Sequence, residues 1–280
     1  MKQEILKSFL NNEIDIEGWF FPGDMISLAV LNLIQTQRNI TGEIFEVGVF
    51  KGKSFSFLSH LIQENEKLFG YDLFLQNTEE MTKLAVEKYG AKVDYELVKG
   101  DTSDLEISDI KNKINNKKIR LLHIDAGHEY FEVLNALNLF SPFVIDNGII
   151  VMDDYQDPEF PGIEAAVLDF CEIDRPRRFV PFFSGQNKIY LTTNYSSMFY
   201  QKSLLGNLNF KDKCRLSIVR DFSILKGFSK LPKNNNEVIQ QIDEFESFNL
   251  ESNNQYNNDT KFKSRFYSQQ KYGFETKKKT

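Results

Sequence analysis

The sequence predicts an α/β protein built on a doubly wound, mainly parallel sheet, and three observations carry that expectation. Strand-like and helix-like segments alternate from about residue 43 to residue 194. The stretch Gly148-Ile149-Ile150-Val151-Met152 has almost no polar residue, as a central strand covered on both faces requires. Two last strand-like runs, Arg178 to Phe183 and Lys188 to Thr193, flank the turn residues Ser184-Gly185-Gln186-Asn187 and read as a closing antiparallel hairpin. Successive βα units ending in such a hairpin place ligand-binding loops at the carboxyl ends of the strands.

Taken in order, Gly18-Trp19-Phe20-Phe21-Pro22-Gly23 is an aromatic turn that leads into a helix through Ile34. Trp19, Phe20 and Phe21 are expected in the core, an aromatic lid over a ligand being the alternative. Glu43 to Val49 is a buried strand running into a glycine turn. Ser54 to Gln63 then repeats apolar residues at helical spacing, with Phe57, Leu58, Leu61 and Ile62 inward. Lys67 to Phe74 is a second strand, and Thr78 to Tyr89 a helix closed by Gly90. Tyr95 to Lys99 is a third strand and Leu105 to Asn115 a weaker helix. Arg120 to Asp125 forms the fourth strand, Glu129 to Phe140 a helix, and Ile163 to Phe170 the helix after the fifth strand. Beyond Tyr195 the pattern weakens: Leu216 to Leu225 suits a strand, and Asn-rich, then Lys- and Arg-rich segments follow. The expected division is a helical lead-in over 1–40, a cofactor-binding domain over 41–195 and an extension over 196–280. That extension is read as partly disordered or as a cover over the substrate.

Bulk properties narrow the function. With 41% hydrophobic and 26% charged residues, the 280-residue chain has an ordinary globular composition and enough length for a sizeable core. A formal charge of −6 argues against nucleic acid as the main partner. The two cysteines, Cys171 and Cys214, are too few for a disulfide framework, which makes a reducing, cytoplasmic setting the expectation. The first residues lack a signal-peptide pattern, and no window approaches the roughly 20 apolar residues of a membrane span. Homo-oligomerisation stays open.

The glycine turn reads Glu46-Val47-Gly48-Val49-Phe50-Lys51-Gly52-Lys53-Ser54. Gly48 and Gly52 let backbone approach a ligand, and Ser54 begins the following helix. Phe50 and Lys53 stand where a G-x-G-x-x-G dinucleotide fingerprint needs glycine, and Gly48 lies one residue too close to Gly52-Lys53-Ser54 for a phosphate-binding P-loop. Glu46 separates the readings further. A carboxylate there repels a triphosphate but suits a cofactor carrying an ammonium and a sulfonium, as S-adenosylmethionine does. Asp72, ending the second strand, is placed for ribose hydroxyls. Asp101 and Thr102, ending the third, are placed for an adenine amino group. Each acid alone also suits a helix cap.

At the other half of the sheet, Asp125 ends the fourth strand and Asp153-Asp154 the fifth. Three converging carboxylates repel one another unless a hard cation, Mg²⁺ or Mn²⁺, joins them. The alternative has Asp154 turned away to cap the next helix.

These segments resemble a known family. Glu46-Val47-Gly48 through Ser54, His123-Ile124-Asp125-Ala126-Gly127-His128-Glu129-Tyr130 and Val151-Met152-Asp153-Asp154-Tyr155 look like class I methyltransferases of the macrocin O-methyltransferase-like group. Phe160-Pro161-Gly162 and Gly18-Trp19 fit the same group, and the resemblance covers roughly residues 15 to 195. It implies a seven-stranded sheet of order 3-2-1-4-5-7-6, with S-adenosylmethionine along Glu46, Gly48, Gly52, Asp72 and Asp101. It also implies a metal held by Asp125, Asp153 and Asp154, and a sugar or natural-product hydroxyl as acceptor. The chain departs from some relatives at Gly127, where they carry an acid proposed as base, and at Gln156, where one carries histidine.

Methyl transfer asks the protein to position the acceptor oxygen and make it nucleophilic. His128 is the candidate base, since imidazoles as a class titrate near neutrality, with Asp125 as its partner in the acceptor site. His123 reads as buried packing and His60 as the end of a helix face. Two other functions compete: a P-loop-like nucleotide hydrolase or kinase using Gly52-Lys53-Ser54, and a non-catalytic cofactor-binding interaction protein.

Overall fold

Short apolar and aromatic runs supply the strands of one sheet: β1 (Glu43–Val47), β2 (Leu68–Asp72), β3 (Tyr95–Lys99), β4 (Ile119–Ile124), β5 (Val144–Met152), β6 (Phe179–Ser184), β7 (Ile189–Thr193), β8 (Arg215–Val219) and β9 (Phe222–Lys226). The structure is a computed structural model, and it describes residues 3–11, 13–173, 177–206 and 214–227. The sheet order is β3-β2-β1-β4-β5-β7-β6-β9-β8. Its first seven positions are the expected 3-2-1-4-5-7-6. Strands β1 to β5 pair in parallel, whereas β7 runs antiparallel to both β5 and β6.

Helices cover both faces, as parallel strands demand. Helices α1 (Gln3–Leu10), α2 (Pro22–Gln37), α3 (Lys53–Ser59), α4 (Thr78–Tyr89) and α8 (Asn194–Gly206) share one apolar layer with residues such as Phe57, Leu121, Val151 and Tyr190. Helices α5 (Ile107–Lys113), α6 (Tyr130–Phe140) and α7 (Pro161–Ile173) share the other with Phe45, Leu122, Ile150 and Leu191. Strand order reverses between β1 and β4, so the crevice for a ligand opens at their carboxyl ends.

The amino end of β4 is fixed by a buried charge. Arg120, wholly buried, donates through Nε and Nη2 to both oxygens of Glu66 (2.7 Å each). Its remaining donors reach Asn32 Oδ1 (2.9 Å), Gln35 Oε1 (2.7 Å) and the Leu61 carbonyl (2.7 Å). Every N–H of the guanidinium is matched, which is what makes such burial tolerable.

The structure departs from expectation in four places. The run 216–225 is a two-stranded hairpin rather than a strand, and β9 lies parallel beside β6. Arg220 supplies the left-handed turn (φ 51) where no glycine marks one. Strand β5 begins at Val144, ahead of the expected Gly148, and includes the exposed Asp146 and Asn147. Residue 195 lies inside α8, so the described part of the C-terminal extension continues the sheet domain; the segment from 228 onward is outside the described residues. Lastly, Phe20 packs edge-on against Phe57 (5.1 Å) in the core, but Trp19 is 83% exposed. The inward position in that aromatic run is taken by Phe20. Among the described residues no helix is long and apolar enough to cross a membrane.

Candidate active site

Strand register builds the site. Glu46 pairs with His123 and Val151 with Tyr190 in one row across β1, β4, β5 and β7. Val47, Ile124, Met152 and Ile189 form the next row. The residues that follow, Gly48, Asp125 and Asp153, with Lys188 preceding Ile189, therefore leave the sheet side by side. Because side chains alternate, Glu46 and His123 lie on the same face as this row of strand ends. The expected convergence of Asp125 with Asp153 follows directly.

At the cofactor end, Gly48 adopts φ +86, and a Cβ there would overlap the Asp125 carbonyl, so this turn needs glycine. Asp72 holds the turn: Oδ2 accepts from the amides of Val49 (2.7 Å) and Phe50 (2.9 Å), and Oδ1 from that of Phe74 (2.7 Å). A carboxylate with two acceptor sites per oxygen keeps one site open on Oδ1. Gly52 precedes α3, and Ser54 lies on its buried side. Glu46 is wholly buried; Oε1 lies 2.8 Å from His123 Nδ1, and Oε2 has no protein partner. His123 Nε2 is likewise buried and unpartnered. Asp101 caps the turn that contains Thr102, accepting from Ser103 N (2.8 Å), so the capping role is occupied here. Lys53 points to the Gly18 carbonyl (3.0 Å), not to the turn amides.

At the acceptor end, His123, Asp125 and Asp153 each bring one ligand atom within 4.8 Å of the others. This set differs from the expected Asp125, Asp153 and Asp154. Lys188, 1% exposed at its side chain, forms an ion pair with Asp153 Oδ2. Asp153 Oδ1 accepts from Asp154 N (2.8 Å) and Asn187 Nδ2 (3.2 Å). Asp154, at φ 51, neither joins the cluster nor caps a helix. Its Oδ1 accepts from Asn187 Nδ2 (2.8 Å), and its Oδ2 lies 3.2 Å from His128 Nε2. The His128 ring stacks on Phe160, centroids 4.0 Å apart and planes 14° from parallel. Gly127, at φ +69, sets up this loop; a Cβ there would lie 2.7 Å from Glu132 Cβ. Glu132 in turn closes the capping box at the start of α6. An acid at position 127 has no room.

Burial and then the charge of Asp153 push the Asp125 carboxyl well above the ordinary range. Burial acts the same way and most strongly on Asp153, but the charge of Lys188, with His123 and a hydrogen bond from Asp125, together outweigh it and hold that carboxyl at about 2. Burial would depress Lys188, yet Asp153, Asp125 and Asp24 raise it above the usual lysine value. Two of the three carboxylates expected to hold a metal thus already have partners: Asp153 an ammonium, Asp154 an imidazole and an amide. As those two stand they do not offer free oxygens to a divalent cation.

Three residues of this site escaped sequence reasoning. Asp24, in the first turn of α2 and buried, accepts from the amides of Gln186 and Asn187 (3.1 Å each) and so fixes the turn that presents Asn187 and Lys188. Burial lifts its carboxyl to about 6. The available signal was a lysine opening an apolar strand next to a Gly-Gln-Asn turn. Its meaning depends on β7 lying antiparallel beside β5.

Residues 45–155, which run from β1 to just past β5, match a family model described as a methyltransferase domain. Among curated proteins, the chain is 36% identical over 150 residues to "Uncharacterized protein R132" of Acanthamoeba polyphaga mimivirus. That match covers 49% of this chain and 65% of the mimivirus protein. Among solved structures it is similar to CalS11, a TDP-rhamnose 3′-O-methyltransferase of calicheamicin biosynthesis (TM-score 0.49, 18% identity, 60% of this chain and 78% of that one). It is also similar to the O-methyltransferase NovP (TM-score 0.48, 16% identity, 60% of this chain and 77% of that one).

Proposed function

We propose that the protein is an S-adenosylmethionine-dependent O-methyltransferase acting on a hydroxyl of a sugar or a similarly hydroxylated small molecule. The observation that carries this reading is the carboxylate lining of the glycine turn. Asp72 occupies the turn amides that a phosphate would need, and Glu46 presents a buried, unpartnered oxygen at the same strand ends. Such a site repels polyphosphate and favours a cofactor with cationic groups. This, with Lys53 turned to Gly18, speaks against the P-loop alternative.

In this reading Glu46 Oε2 takes the amino group of the cofactor, the open site on Asp72 Oδ1 a ribose hydroxyl, and Asp101 with Thr102 the adenine edge. The bound cofactor supplies a methyl group on a sulfonium sulfur. His128 is the base: Asp154 on Nε2 leaves Nδ1 as the nitrogen that takes the acceptor's hydroxyl proton while the oxygen–carbon bond forms and the carbon–sulfur bond breaks. Asp125, beside the glycine turn, positions the hydroxyl. The expected divalent cation has no part in this reading, because Asp153 and Asp154 are already partnered.

Calorimetric titration of the full chain with S-adenosylhomocysteine, with ATP as control, tests the cofactor assignment. Micromolar binding that Asp72→Ala abolishes, without ATP binding, supports it; ATP binding alone sinks it. Transfer of a radiolabelled methyl group to a panel of sugars and hydroxylated small molecules then tests the acceptor class. Cofactor affinity without turnover on any of them would favour a non-catalytic binding protein.

A further inference from the structure

The row of strand ends at the acceptor side contains a cation of its own. Lys188, the residue just before β7, reaches Asp153 with its side chain 1% exposed and its ammonium 5.5 Å from the centre of the Phe20 ring. Asp24 and Asp125 add negative charge around it. An ammonium enclosed this way has lost its water and stays only because carboxylates replace that water.

Neighbouring side chains complete the enclosure. Both oxygens of Asp153 are engaged, one by Lys188 and the other by Asn187 and the Asp154 amide. Both oxygens of Asp154 are engaged, one by Asn187 and the other by His128. A divalent ion entering here would have to displace these donors and sit beside a fixed positive charge, in a setting where like charges repel far more strongly than in water. Mg²⁺ also demands near-ideal octahedral oxygen coordination, which carboxylates already turned to other partners do not offer.

We propose that Lys188 is the resident cation of this carboxylate cluster, standing where the family resemblance puts a divalent metal, so that the protein binds no Mg²⁺ or Mn²⁺ there. The metal-binding half of this inference is independent of the reaction. Its corollary, methyl transfer that needs no metal, rests on the O-methyltransferase reading above.

The test is titration of the full chain with Mn²⁺, following the free ion by electron paramagnetic resonance, for the wild type, Lys188→Met and Lys188→Arg. Calorimetry with S-adenosylhomocysteine accompanies each variant and reports separately on the cofactor assignment. The wild type and Lys188→Arg should bind Mn²⁺ no more tightly than millimolar. Lys188→Met, which keeps side-chain length but drops the charge, should gain a site at least tenfold tighter, lost again in Lys188→Met/Asp153→Asn. A wild-type protein that binds one Mn²⁺ with micromolar affinity, lost in Asp125→Asn, would overturn the proposal. So would a folded Lys188→Met that gains no site, because the ammonium would then not be what keeps the cluster free of metal. If Lys188→Met shows no cooperative thermal transition, the wild-type titration decides alone. Failure of S-adenosylhomocysteine to bind would remove the cofactor reading and leave the Mn²⁺ result standing.

Discussion

Lys188 and Asp153 meet because Met152 and Ile189 are the last paired residues of the antiparallel β5–β7 ladder, and each of the two stands one step beyond that pair. The ion pair is a product of register, and register extends the same row to Asp125 and Gly48. The acceptor side and the cofactor turn are therefore one continuous line across four strands. His128 and Asp154 stand just outside it.

That position gives His128 its first test. Its ring is fixed by Phe160 and by Asp154, and it makes no hydrogen bond that the fold depends on. His128→Ala should lower kcat by about 10²–10⁴-fold, the usual range for losing a general base. Affinity for S-adenosylhomocysteine should stay within about twofold of the wild type by the cost of one lost surface contact. Asp154→Asn should lower kcat less, because it misorients the imidazole without removing it. An unchanged kcat in His128→Ala, measured with any accepted substrate, would exclude it as the base.

The opposite end of β4 gives a prediction about stability alone. Arg120 and Glu66 are both buried and fully hydrogen-bonded, and neither approaches the site row. Removing one partner strands a charge: Arg120→Met or Glu66→Ala should each cost about 3–5 kcal/mol in denaturant unfolding. The pair Glu66→Leu/Arg120→Met should cost less than either single change, because it leaves neither charge behind. A double variant as unstable as the sum of the singles would show that the network's shape, not its charge balance, is what matters.

Asp24 predicts a pH dependence. Its carboxyl is lifted by burial from 3.8 to about 6, so the folded chain binds this proton more tightly than the unfolded one. The stability it contributes is complete below about pH 4 and is lost as pH rises to about 6, an effect on the order of 3 kcal/mol. Asp24→Asn has no such titration. Its stability relative to the wild type should rise across that window and then level off. Urea midpoints at half-unit pH steps would read this directly, and parallel curves for the two proteins would contradict the burial effect.

How much of this was legible in the sequence depends on range. Gly48, Asp72, Asp125 and Asp153 stood out because each ends a strand, and strand ends are visible as local patterns of apolar runs. Even so, the partners were not visible. Asp72 was expected to meet a ribose, and its hold on the turn amides went unseen; Asp154 was expected beside a metal and faces His128. His123 looked like packing, yet its register partner is Glu46. Asp24 and Lys188 lie 164 residues apart in sequence, and only the order of β5 and β7 brings them to one site. Helix α8 was missed because it is not clearly amphipathic, and the β8–β9 hairpin because its turn has no glycine.

Two glycines separate the two halves of the site. Gly48→Ala puts a Cβ into the Asp125 carbonyl, next to the amides held by Asp72, and should reduce S-adenosylhomocysteine affinity at least tenfold, since a misplaced turn loses about 1.4 kcal/mol or more of binding. Gly127→Ala strains only the loop before α6, at a cost of about 1–2 kcal/mol for a left-handed residue with a close neighbour. It should lower kcat through His128 and leave cofactor affinity intact. Equal loss of cofactor binding in both variants would mean that the two loops do not act separately.

Trp19 gives the last prediction, and it rests on the contrast with its neighbour. Phe20 is buried against Phe57 and near Lys188, so Phe20→Ala should cost about 3–5 kcal/mol, as large core truncations do. Trp19, at 83% exposure, has little packing to lose, and Trp19→Ala should change stability by no more than about 0.5 kcal/mol. It sits between Gly18, whose carbonyl receives Lys53 of the cofactor turn, and Phe20, which borders the Lys188–Asp153 pair. A ligand spanning both halves would therefore pass near it. As the single tryptophan of the chain, it reports its own surroundings without labelling. Its emission should be that of a water-exposed indole in the free protein and should shift to shorter wavelength when cofactor and acceptor are both bound. A large stability loss in Trp19→Ala would return this side chain to the core, where its hydrophobicity first suggested it belonged.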